Sequence, residues 1–279
     1  MSYITTKNQT IAVNGSQVAY RELGKGRTEL PLVMLTHLSA TLDNWDPVLI
    51  DLLAKEQHVI LIDLPGVGAS EGRVANTIVA MAEQVHAIVK ALSYHHINLL
   101  GLSMGGMVAQ EVVRLDGSLV NRLVLAGTAH RGGVEVDKVT GKTFRFMAKA
   151  AFVGVDPKRY IFYPHDEAGK IMADKVLGRM KEREAAFADK PMAVPGFLTQ
   201  LKAIKRWGRD PEDDLAFITQ PTLIVNGDQD MQVPTENSYL MHDKLKNSQL
   251  IIYPHAGHGS IFQMAEDFAP KLIAFLKEG

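Results

Sequence analysis

INLLGLSMGGMVAQ, residues 97–110, runs from an apolar stretch into a serine bracketed by glycines. INLLGLS reads as a buried strand and GGMVAQEVVRL as an amphipathic helix. In Gly101-Leu102-Ser103-Met104-Gly105 the glycines stand two residues either side of Ser103. A sharp strand–turn–helix bend needs small residues there because backbone passes close by, and it strains the central residue. The bend lifts a hydroxyl off the carboxyl edge of the sheet, where ligands bind in open α/β sheets. The helix after it aims free N–H groups at negative charge. A glycine turn with an incidental serine is the bland alternative. The strand before and the helix after favour a nucleophile.

Outward from this turn, strand and helix alternate. QTIAVNG and SQVAYREL form a hairpin joined at Asn14-Gly15. PLVMLTHL is an apolar run suited to a strand buried on both faces, and Trp45, Val48, Leu49, Leu52 and Leu53 mark one face of the next helix. HVILIDLP, then a helix from Thr77, and NRLVLAGT beyond Ser103 continue the rhythm. PTLIVNG, a helix near Glu236, QLIIYP and a final helix with Phe268, Leu272, Ile273 and Phe275 inward complete it. The pattern predicts an α/β fold, a mostly parallel eight-stranded sheet with helices on both faces. From about His130 to Thr219 no buried strand is legible, and aromatic and methionine residues are spaced among many charges. A structureless connection of that length is unlikely in a compact domain, so the stretch reads as inserted amphipathic helices. The expected organisation is a core of residues 1–130 and 220–279 with a helical lid at 131–219.

The chain has 279 residues, 46% apolar and 22% charged, which suits a folded domain rather than a disordered chain or a fibre. A net charge of −1 gives no pull toward nucleic acid or acidic membranes. With no cysteine, disulfides, thiolate catalysis and cysteine-ligated zinc are excluded. MSYITTKNQT is polar, without the apolar stretch of a signal peptide, and no apolar run approaches a membrane span. The expectation is a soluble, cytoplasmic protein whose partner is a small-molecule substrate. No His pair has metal-ligand spacing in a convincing context, so neither metal nor cofactor is expected. In GVGASEG the glycines stand at 66, 68 and 72, which misses the dinucleotide-binding spacing by one.

A serine hydroxyl needs a base to take its proton, and histidine suits that task near neutral pH. His258 lies in YPHAGHGSIF past the strand QLIIYP, with Gly257 and Gly259 beside it to let the ring reach out. His255 is its rival and fits a turn. The histidine in turn needs a carboxylate. NGDQDMQVP after PTLIV offers Asp228 and Asp230. Asp228, directly after Gly227, suits the turn, and Asp230 suits the relay. Serine, then aspartate, then histidine is the chain order this architecture uses. Two backbone N–H groups are needed for an oxyanion: Met104, and Leu38 or Ser39 after MLTHL. His37, Trp45, His130, Phe144 and Phe197 are the expected substrate-pocket residues.

G-L-S-M-G-G, the His37 loop with Trp45-Asp46 beyond it, D-L-P-G-V-G-A-S at Asp63 to Ser70, G-D-Q-D-M-Q-V-P and A-G-H-G together resemble the α/β-hydrolase fold family. The resemblance implies that Ser103, Asp230 and His258 form a triad and that Ser39 and Met104 supply the oxyanion donors. Members usually carry His-Gly where this chain has His37-Leu38. Branches that cleave epoxides or haloalkanes use an aspartate nucleophile, which Ser103 argues against. Esterases, enol-lactonases and other lactonases, carbon–carbon bond hydrolases, aminopeptidases and cofactor-free perhydrolases or haloperoxidases remain. The implied function is a serine hydrolase that cleaves a small carboxylic ester or related acyl compound through an acyl-enzyme. A non-catalytic ligand-sensing receptor of the same fold is the non-enzyme alternative.

Overall fold

The computed structural model describes residues 2–278. β1 (Gln9–Val13) and β2 (Ser16–Leu23) form the antiparallel hairpin, turning through Asn14 and Gly15 at φ 49° and 82°. β3 (Leu32–Leu35), α1 (Pro47–Ala54), β4 (Val59–Ile62), α2 (Ile78–Ala91), β5 (Ile97–Leu102), α3 (Met104–Leu115) and β6 (Val120–Ala126) then alternate. Four α-helices follow without a strand between them: α4 (Val139–Val153), α5 (Lys158–Phe162), α6 (Glu167–Met180) and α7 (Val194–Trp207). β7 (Thr222–Gly227), α8 (Glu236–Lys244), β8 (Ser248–Tyr253), α9 (Ser260–Gln263) and α10 (Ala265–Lys277) restore the alternation.

The eight strands lie in the order β1-β2-β4-β3-β5-β6-β7-β8. Only β2 runs against its neighbours, and every pairing from β4 to β8 is parallel. Parallel strands need cover on both faces, and the side chains supply it by period-two alternation. In β3, Val33 and Leu35 join the apolar cluster made with α2 and α3, while Leu32 and Met34 join the one made with α1 and α10. Helix starts are written in the sequence. Asp46 accepts the Val48 N–H at 3.2 Å ahead of Pro47, and Thr77 accepts the Ala80 N–H. Such a cap contributes about 1 kcal/mol.

β3 lies between β4 and β5, so the chain winds outward in opposite directions from this point. The loops after β3 and β5 therefore part at the carboxyl edge and leave a crevice there. α5 and α6 bury Phe162, Tyr163, Ala173 and Val176 against the α1/α10 side, and α7 buries Ala203, Ile204 and Trp207 against the α2/α3 side. The inserted helices thus straddle that crevice. No helix among the described residues is long and apolar enough to cross a membrane.

Candidate active site

Ser103 sits between β5 and α3 at φ 56°, ψ −118°, a conformation that L-residues rarely adopt. Local crowding holds it there. A β-carbon at Gly101 would overlap the Gly105 backbone, one at Gly105 would overlap Leu35, and one at Gly106 would overlap Thr128. The Ser103 N–H donates to the Ala126 carbonyl at 2.8 Å, and the Thr128 hydroxyl donates to the Ser103 carbonyl at 2.7 Å. Both backbone groups are thereby fixed by β6 and its following loop, and the side chain is left to project from the bend.

The ring of His258 arrives from the loop after β8. The Ser103 hydroxyl donates to His258 Nε2 at 2.9 Å, and His258 Nδ1 donates to Asp230 Oδ2 at 2.7 Å. A carboxylate only accepts, so the proton lies on Nδ1 and Nε2 is left with a lone pair for the hydroxyl. Asp230 is itself held, its Oδ1 accepting the Gln232 and Val233 N–H groups at 2.9 Å each. All three side chains are buried. The two rivals lie elsewhere: Asp228 is exposed and its N–H donates to Tyr253, and His255 is exposed in a turn at φ 54°.

Met104 N–H, the first of α3, and Leu38 N–H donate to no acceptor among the described residues. Ser39 N–H does. Its acceptor is Oε1 of Gln200, a buried side chain on α7, at 2.8 Å. The bend that a glycine would ease falls on Ser39, at φ 64°, and Leu38 keeps a negative φ. His37 points its Nδ1–H at the Leu38 carbonyl, 2.9 Å away. Burial above all, with the nearby Lys158 charge next, pushes its pKa down to about 3, so the ring is neutral.

A cavity of about 240 Å³ opens above Ser103 and His258. His37, Leu38 and Ser39 form one side, and α4, α5 and α7 form the roof through Thr143, Met147, Ile161, Phe162, Phe197 and Ile204. Of the expected pocket residues, His37 and Phe197 line it. Three lie outside it. Trp45 is fully buried in the core, edge-on to Phe262 at 6.1 Å, because its large apolar ring gains more by burial in the α1/α10 cluster than at a polar site. His130 is buried against Glu212, 3.3 Å from Nε2, where the chain leaves the sheet. Phe144 is 45% exposed on the outer side of α4 and touches the site only through Phe197, ring centroids 6.2 Å apart.

Sequence reasoning missed Phe162, Gln200 and Lys158. The Phe162 ring lies 5.2 Å from that of His258 and 4.6 Å from that of His37, and its carbonyl accepts the Gly259 N–H at 2.9 Å. No local signal marks these residues, since their partners lie far away along the chain.

A nucleophile bend at a strand end, a buried serine–histidine–aspartate relay and an eight-stranded, mostly parallel sheet define a serine hydrolase of the α/β type. The family model for the alpha/beta hydrolase fold matches residues 31–265, and the chain belongs to that family. It is similar over 95% of its length to 2-hydroxy-6-oxo-6-(2'-aminophenyl)hexa-2,4-dienoic acid hydrolase of Metapseudomonas resinovorans, at 27% identity and 89% of that protein. A putative non-heme chloroperoxidase of Synechocystis is also 27% identical, over 99% of this chain and 100% of that one. Among solved structures, an alpha/beta hydrolase fold protein from Chitinophaga pinensis superposes with a TM-score of 0.92 at 30% identity, covering 100% of both chains. The protein is an enzyme, a serine-nucleophile hydrolase acting on a small acyl or ester substrate.

Proposed function

We propose that Ser103 is the nucleophile, His258 the general base and acid, and Asp230 the carboxylate that orients the ring. Ser103 Oγ attacks the substrate carbonyl carbon while its proton passes to His258 Nε2. The carbonyl electron pair moves to oxygen, where Met104 N–H and the loop after β3 receive it. Collapse expels the alcohol, which takes the proton from His258, and leaves Ser103 acylated. His258 then removes a proton from water, the hydroxide displaces Ser103, and the acid departs with the serine reprotonated.

The observation that carries this reading is the relay, 2.9 Å from Ser103 Oγ to His258 Nε2 and 2.7 Å from Nδ1 to Asp230, at the base of the cavity. On the oxyanion side, an acceptor oxygen of Gln200 already sits 2.8 Å from Ser39 N–H. A substrate oxyanion takes that place when Gln200 yields, with Leu38 N–H beside it. Residues 131–219 act as the lid, a role supported by the helices that roof the cavity. A cytoplasmic location belongs to the same reading and is supported by the cysteine-free sequence. A fluorophosphonate probe followed by peptide mapping tests the assignment: label is expected on Ser103 alone, together with turnover of short p-nitrophenyl esters. Label on another residue, or none on protein that turns over ester, overturns it.

A further inference from the structure

Within the cavity one side chain is out of keeping with the rest. Lys158, the first residue of α5, lines it among mostly apolar groups, with Ser39, Thr143, Gln232 and the neutral His37 as uncharged polar neighbours. It is the one Lys, Arg, Asp or Glu in that lining among the described residues. Its neighbour Arg159 is paired with Asp174 at 3.1 Å, but no carboxylate of the described residues pairs with Lys158 Nζ. Asp156, two residues earlier, uses Oδ1 to accept the Lys158 backbone N–H at 2.9 Å. Burial lowers the pKa of the ammonium below that of an ordinary lysine. A half-buried cation with no carboxylate partner in a mostly apolar cavity is costly, and the cost is relieved by an anion brought in by the ligand.

The position of the charge relative to the chemistry follows from the helix. Lys158 and Phe162 are four residues apart on α5 and share one face. Phe162 touches both His258 and His37, and Lys158, Phe162 and His37 also line a smaller adjoining cavity. The root of the Lys158 side chain therefore stands one helical turn from the ring that abuts the catalytic histidine. A single ammonium with three donors suits a carboxylate as a point charge.

We propose that Lys158 is a specificity-determining residue that selects acyl substrates carrying a carboxylate remote from the scissile bond. This rests on the serine-hydrolase reading above. Methyl butyrate and monomethyl glutarate offer the same acyl chain without and with a terminal carboxylate. The ratio of their kcat/KM values, anionic over neutral, is expected to exceed one in the native enzyme. Lys158→Met should lower it about 10- to 100-fold, the range for a hydrogen bond to a charged group, and Lys158→Arg should keep most of it. A ratio unmoved by Lys158→Met, or one that Lys158→Arg loses equally, overturns the proposal. Glutarate binding to the Ser103→Ala protein, read by calorimetry, tests the subsite without any turnover. There, weakening by added Lys158→Met supports it, and absent or indifferent binding overturns it. Failure of ester cleavage with glutarate still bound through Lys158 would count against the hydrolase reading alone.

Discussion

Between β5 and its neighbours every side chain of Ile97–Leu102 is buried, and nearly all are apolar, whereas α6 reaches the residue that caps α1 through an ion pair. Arg179 on α6 places Nε and Nη2 on the two oxygens of Asp46, each at 2.5 Å, and Nη2 also donates to the Phe262 carbonyl at 2.9 Å. Arg183 reaches the Tyr3 and Ile4 carbonyls at 2.7 and 3.0 Å and Asp43 at 3.0 Å. Gln200 holds Ser39, and Asp189 faces Asp63. Beyond its backbone ladder, the sheet's side chains are secured by non-directional burial, while the inserted helices add to their apolar contacts a set of directional polar ties. Directional ties fix one geometry and are lost together when that geometry shifts. That suits a roof whose position sets the cavity above the relay.

The largest effect is expected at the relay, whose three members all come from the turns and loops that follow β5, β7 and β8. His258→Ala and Ser103→Ala are each expected to lower kcat for a short ester by about 10⁴- to 10⁶-fold. His255→Ala should keep activity within about twofold of the native enzyme. Steady-state kinetics on the three variants settle the matter, and a large loss in His255→Ala would mean the exposed imidazole participates.

The ionic tie comes next. Arg179→Met leaves Asp46 buried without its cation, and breaking such a pair costs about 3–5 kcal/mol. The lower end is expected, because Arg179 keeps 14% side-chain exposure and Asp46 retains its cap on Val48. Urea unfolding gives the value. A loss under about 1 kcal/mol would show that Tyr163, Ala173 and Val176 hold the inserted helices without help from charge.

The same contrast explains what could be read from the chain. Buried strands announce themselves locally: INLLGL, VILI and LVML are apolar runs, and Gly101 is needed by the Gly105 backbone within a few residues of Ser103. The candidate triad is legible because each member lies in the turn or loop that follows a strand and the chain order is characteristic. The polar ties were not, because Asp46 and Arg179 are 133 residues apart and Ser39 and Gln200 are 161. Nothing within a window of sequence distinguishes Arg179 from an exposed arginine. Trp45 likewise read as a pocket residue because an aromatic near a catalytic loop has the same local signature whether it faces ligand or core. Glycine usually stands where this chain has Leu38, yet the left-handed residue is Ser39, one step on.

The smallest effect belongs to the tie made of two acids. Asp63, after β4, is buried with the carboxyl of Asp189 facing it, and a β-carbon at Gly68 would overlap both. Burial first, and the Asp189 carboxyl second, hold the Asp63 pKa well above the ordinary carboxylate value. The folded protein therefore keeps a proton that the unfolded chain has already released. Stability from this site is full below the unfolded carboxylate pKa and declines as pH rises toward the folded value. Asp63→Asn keeps the shape and a donor for Asp189 but removes the titrating group. Thermal melts at several pH values should show the variant gaining on the native protein as pH rises from about 4 to 8, by less than Arg179→Met costs. A constant difference across that range would mean that Asp63 does not hold its proton in the fold. A difference that shrinks with pH would mean that the two carboxyls are drawn together by a cation instead.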